Sequence, residues 1–79
     1  MEKQEIQIKV IEIISIILKD EVNINSSMQN IENWDSLKHL EILFAVEDEF
    51  EISFSEKVLD KLYTIKDISK EIWTIVNEA

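Results

Sequence analysis

The 79 residues predict an all-α fold: a small four-helix bundle with a short third helix and a long loop between helices 1 and 2. Three observations point there. Apolar residues recur at helical spacing in the first, middle and last parts of the chain. Aspartate, serine and threonine stand where the later helices should open, able to accept from the unpaired N–H groups of a first turn. The one stretch that alternates like a strand, Ile6-Ile8-Val10, loses its alternation at Val10-Ile11. At this length residues 1–79 form one domain, near the size at which a single core gives only marginal stability. The chain has no cysteine, so neither a disulfide framework nor a thiolate metal site is available to staple it.

The first helix is expected from about residue 3 to 19. Glu5, Lys9, Glu12 and Lys19 form a polar stripe broken only by Ile16, and Ile6, Val10, Ile13, Ile14 and Ile17 line the opposite face. Residues 20–35 show neither helical nor strand period and are rich in Asn and Ser. Their isolated apolar residues, Val22, Ile24, Met28, Ile31 and Trp34, would pin the loop to a core.

The second helix is expected from Ser36 to about Phe50, with Asp35 as its N-cap, a contribution typically worth about 1 kcal/mol. Lys38, Glu41, Ala45, Asp48 and Glu49 fall on its polar side, and Leu40, Leu43, Val46 and Phe50 on its apolar side. Ser53 to Glu56 fits a capping box, with Ser55 as an alternative cap, for a short third helix that ends near Leu62 and buries Val58 and Leu59. Thr64 to Asp67 opens the last helix, whose Ile65, Ile68, Ile72 and Ile75 share a face.

The net charge of −9 is unevenly spread. Residues 20–60 hold eleven acids against Lys38 and Lys57, while the two ends are balanced. Such a middle repels nucleic-acid phosphates and anionic lipid and attracts a basic surface. Its acids should also repel one another, so neutralising Glu47 or Glu49 is expected to stabilise the fold. No apolar run is long enough to span a bilayer. Glu2-Lys3-Gln4-Glu5 followed by Ile6 is unlike a secretory leader, so a cytoplasmic, monomeric domain without membrane insertion is expected.

Two apparent catalytic patterns are weak. Asp35, Ser36 and His39 suggest a nucleophilic triad, yet an N-capping aspartate is occupied by backbone donors and His39 projects toward the apolar side of its own helix. No glycine-bearing turn offers an oxyanion hole. The Glu47-Asp48-Glu49 run lacks the spaced ligands and glycine turn of a calcium loop, so no dedicated metal site is expected. The chain is read as a non-enzyme.

Asp35-Ser36-Leu37 carries more. The serine should be exposed at the positive end of a helix dipole, with acids following on the same helix. Leu37 and Ile42 are expected to stay partly exposed, apolar groups ringed by acids that suit a docking surface.

From about Glu32 to Ile75 the order of features resembles the acyl carrier protein family. The Asp35-Ser36-Leu37 triplet opens a helix bearing Glu41, Glu47 and Asp48. Glu51-Ile52-Ser53-Phe54, a short helix, and Thr64-Ile65-Lys66-Asp67-Ile68 then follow in order. The resemblance implies that Ser36 carries 4′-phosphopantetheine, transferred from coenzyme A by a phosphopantetheinyl transferase, with Asp35 and Leu37 as motif neighbours. The arm's thiol, which this chain cannot itself supply, would hold acyl intermediates as thioesters. Glu41, Ile42, Glu47, Asp48 and Glu56 would meet acyl-loading and acyl-transfer enzymes through their basic docking surfaces. Asn33-Trp34 and Lys38-His39 depart from the pattern of fatty-acid-synthesis carriers, which favours a specialised lipid, polyketide or N-acyl-sugar pathway. A general fatty-acid carrier, an aminoacyl or peptidyl carrier, and an acidic helical adaptor without a prosthetic group remain the alternatives.

Overall fold

The computed structural model describes residues 1–78 and gives four helices: α1 (Lys3–Leu18), α2 (Ser36–Phe50), α3 (Glu56–Leu59) and α4 (Ile65–Glu78). The all-α, four-helix prediction holds, including the short third helix and the long first loop. α1 packs against both α2 and α4. Among the described residues no helix is long and apolar enough to cross a membrane.

One core joins all parts. α1 contributes Ile6, Val10, Ile14 and Leu18, a strict four-residue spacing that stacks them on one stripe. α2 contributes Ile42, Leu43 and Val46, and α4 contributes Ile65, Ile68 and Ile72. Trp34, Phe54 and Leu62 enter from the connections. Ile13, Ile17 and Ile75, expected on buried faces, lie at its edge and are half-buried.

The long loop is docked, as its spaced apolar residues suggested. Its middle crosses the start of α4: the N–H of Ile65 donates to the carbonyl of Ser26 at 3.1 Å, and the N–H of Met28 to that of Tyr63 at 3.1 Å. Ser27 and Thr64 thereby form an isolated antiparallel bridge. Trp34 is 2% exposed and anchors the loop's far end in the core. Trp73 is half-buried on α4, with the Lys3 ammonium 4.7 Å from its ring centroid.

Two helix ends are closed without glycine. Lys19 (φ 56°) and Glu51 (φ 55°) sit in the left-handed region just past α1 and α2, each returning its N–H to a carbonyl of the last turn. Beyond α2, Ile52 N–H also donates to Glu47 O at 3.0 Å.

Three local expectations are corrected. α3 ends at Leu59 rather than near Leu62, because the chain turns there with Lys61 N–H donating to Val58 O at 2.9 Å. Leu62 still reaches the core, from the turn, whereas Leu59 is 38% exposed and Val58 only half-buried. The cap of α3 is Ser55, whose hydroxyl accepts from Lys57 N–H at 3.1 Å, and not Ser53. The expected cap of α4 is present: Thr64 Oγ1 accepts from Asp67 N–H at 2.9 Å.

Candidate functional site

Ser36 is the first residue of α2 and is exposed. Asp35 does the capping, its Oδ1 accepting from Lys38 N–H at 2.9 Å. The Ser36 hydroxyl is therefore not needed by the helix, and among the described residues it has no hydrogen-bond partner. A serine at the Ncap would have to turn inward to accept a backbone N–H; one residue later it is free to point outward. Leu37 beside it is 66% exposed.

The buried face of α2 is turned from the expected one. His39, Ile42, Leu43 and Val46 point inward, while Leu40 (51% exposed) and Phe44 (66%) point outward. Ile42, expected at a partner surface, is fully buried and can make no such contact. Leu37, Leu40 and Phe44, three and four residues apart, instead form a second apolar stripe along the exposed side.

That stripe borders a groove of about 350 Å³ lined by His39, Leu40, Leu43, Phe44, Glu47, Phe54, Leu59 and Tyr63. Its walls are α2, the segment before α3, α3 itself and the turn before α4. His39 and Leu40 lie three and four residues after Ser36, so the groove begins one helical turn from the exposed hydroxyl. Neither Phe44 nor Tyr63 was singled out from sequence. The available signal was the apolar excess of α2, which carries more large side chains than one neighbouring helix can cover.

His39 forms the polar part of the groove wall. It is 8% exposed, accepts the indole N–H of Trp34 at Nδ1 (3.0 Å), and stacks against the Tyr63 ring with centroids 5.6 Å apart. Burial pushes its pKa below the usual histidine value, favouring the neutral ring. Its Nε2 is buried without a partner. The geometry gives no support to a triad, since Asp35 faces the backbone N–H of Lys38 and the imidazole Nδ1 faces Trp34.

The predicted acidic residues divide. Asp48 and Glu56 are exposed on α2 and α3. Glu41 is exposed and 3.7 Å from Lys38 Nζ, an exposed pair of little energetic weight. Glu47 is half-buried, and its Oε2 accepts the N–H of Phe54 at 2.7 Å. It holds the groove's wall together before it can meet any partner. Among the described residues no group of three or more His, Asp or Glu side chains could hold a metal ion.

A scan against protein-family models and a search of curated proteins found no match to this chain.

Proposed function

We propose that this chain is a carrier domain, holding acyl groups as thioesters on a 4′-phosphopantetheine arm attached to Ser36, and itself performing no catalysis. The observation that carries the reading is the division of labour at the start of α2: Asp35 caps the helix and leaves the Ser36 hydroxyl exposed and unengaged. The residues present suit the group. A phosphodiester on Ser36 would lie at a helix N-terminus, where dipole and free N–H groups favour an anion by about 0.3–1 kcal/mol. The arm supplies a thiol on a flexible tether, and the chain's part is to present it, shelter what it bears and dock on the enzymes that act on it.

The apolar groove one turn from Ser36 supplies shelter, because a hydrocarbon chain placed there leaves water. Docking falls to the surface around it, where exposed Leu37, Leu40 and Phe44 stand among Glu41, Asp48 and Glu56. Apolar groups in a mainly acidic setting suit a basic partner that is steered by the field and held by contact. A phosphopantetheinyl transferase and acyl-transfer enzymes would be such partners. The exposed apolar stripe also favours a second reading, an acidic adaptor that binds a basic protein with no arm.

Intact mass after incubation with coenzyme A and a broad-specificity transferase separates the two. The carrier reading expects one added phosphopantetheine, lost in Ser36→Ala. An unchanged mass with active transferase leaves the adaptor.

A further inference from the structure

We propose that the cleft near the starts of α1 and α4 binds a phosphate group, held by the ammonium groups of Lys3, Lys66 and Lys70 and by the buried hydroxyl of Ser69. Ser36 does not line this cleft, so binding is expected with or without an arm.

The cleft has a volume of about 120 Å³ and is lined by Lys3, Gln7, Lys66, Ser69 and Lys70. Two helix faces meet to make it. Lys3 and Gln7, four residues apart, share one side of α1, and Lys66, Ser69 and Lys70 share one side of α4. α1 and α4 pack against each other, so the spacing along two separate helices brings three cations to one place. The net charge of the chain is −9, yet three of its eight basic residues converge here with no carboxylate in the lining. Among the described residues none of the three is in an ion pair; the lysines so engaged are Lys9 and Lys38. Asp67 and Glu71, the neighbouring acids of α4, line a different cleft with Val58, Leu62 and the shared Lys70. The Lys3 ammonium lies 4.7 Å from the Trp73 ring centroid, which keeps it against α4.

Ser69 points to a ligand independently of charge. It is 4% exposed and lines the cleft, and its hydroxyl is buried with no hydrogen-bond partner among the described residues. A serine or threonine inside a helix can return its hydroxyl to the carbonyl one turn back, as Thr74 does to Lys70. Ser69 makes no such bond. An unpaired buried hydroxyl is costly, and alanine would serve the helix better. Its hydrogen rotates to suit an acceptor, so it can donate to an oxygen seated in the cleft. The Gln7 amide offers two more donors from the facing helix. Donors arriving from both helices suit the several oxygens of a phosphate better than the two of a carboxylate, and lysine engages phosphate as a point charge. Lys3 opens α1 and Lys66 stands second in α4, where the helix dipoles also favour an anion.

The test titrates inorganic phosphate, and in a second arm glycerol 3-phosphate, into the nitrogen-15-labelled chain with ionic strength held constant by chloride. The expected result is saturable NMR shifts confined to Ser69, the Gln7 side-chain amide and the surroundings of Lys66 and Lys70. Ser69→Ala should weaken binding about tenfold, the scale of one hydrogen bond to a charged group. Lys66→Gln and Lys70→Gln, both at exposed positions, should weaken it too. Lys57→Gln on α3, which changes the net charge equally, should not. The arm that binds more tightly identifies the source, a phosphate monoester or the free ion, and equal affinity assigns the phosphate group alone. In phosphate-free buffer Ser69→Ala should melt no lower than the parent; a lower melt would give the hydroxyl a structural role and overturn the site. Shifts that do not saturate, that chloride reproduces, that fall at the start of α2 instead, or that persist unchanged in Ser69→Ala would overturn it as well.

Discussion

The carboxylate of Glu47 accepts the backbone N–H of Phe54 at 2.7 Å, so a residue of the last turns of α2 fixes the path by which the chain leaves that helix. Phe54 is 8% exposed and lines the groove, and its position depends on this bond. Simple charge counting expects relief when either Glu47 or Glu49 is neutralised; the geometry separates them. Hydrogen bonds to charged groups contribute about 1.5–3 kcal/mol, more than surface repulsion costs. Glu47→Ala should lower stability by roughly 1–2 kcal/mol, with Glu47→Gln between it and the parent. Glu49→Gln, which loses only an exposed pair with Lys9, should stay within about 0.5 kcal/mol. Urea denaturation at low salt checks the order, and Glu47 variants as stable as the parent would refute it.

Glu51 occupies a conformation that glycine adopts freely. Glu51→Gly should therefore stabilise the domain by roughly 0.5–1 kcal/mol, relief of left-handed strain outweighing the added freedom of the unfolded chain. Glu49→Gly, inside α2, should cost about 1 kcal/mol. Thermal melts of the two variants should move in opposite directions.

His39 makes stability depend on pH in a defined sense. Its folded pKa lies below the ordinary value of about 6.5 because burial disfavours the charged ring. As pH falls through that value the unfolded chain takes up a proton that the folded chain resists, so stability drops until the folded pKa is passed. A protonated ring would also present an N–H at Nδ1 to the Trp34 N–H. Between about pH 7 and 5.5 the parent should lose stability and His39→Gln should lose less. Equal slopes for the two would show that His39 does not couple protonation to folding.

Asp35 and Ser36 should respond oppositely to truncation. Asp35→Ala removes the cap and should cost about 1 kcal/mol. Ser36→Ala removes an unengaged hydroxyl and should leave the melting temperature within a degree or so, about the scale of a neutral surface change. A large loss for Ser36→Ala would mean that the hydroxyl has a structural partner and is less free for modification.

The acidic rim sets a kinetic expectation. Asp48→Lys or Glu56→Lys should slow association with a phosphopantetheinyl transferase, and salt should compress the difference, since the Debye length is about 8 Å at physiological ionic strength. Stopped-flow or surface binding at two salt concentrations measures it. Parent-like rates at low salt would remove this face as the docking surface.

The helices were legible because period and capping chemistry are local. Asp35 and Thr64 cap where the sequence places them. What stayed hidden depended on contacts between distant segments. The period of α2 identifies a helix but not which arc of its broad apolar surface meets α1, so Leu40 and Ile42 were exchanged. His39 was legible on the apolar side of its helix and is buried there, but its partner was not, because Trp34 reaches it from the loop. The free state of the Ser36 hydroxyl was legible, because it follows from the cap one residue before it. The groove was not, because it exists only where α2, α3 and the turn before α4 converge.

The packing of α1 against α4 has a consequence for how the chain is made. Ile6, Val10, Ile14 and Leu18 are synthesised before Ile65, Ile68 and Ile72, the two helices being separated by most of the bundle's sequence. At about 5–20 residues per second the nearly fifty positions from Leu18 to Ile65 take roughly 2–9 seconds to add. Throughout that interval the stripe of α1 lacks the cover that α4 provides. A stop codon placed after Tyr63 would leave that stripe open for good, and the truncated product should be recovered as an aggregate or a degraded fragment.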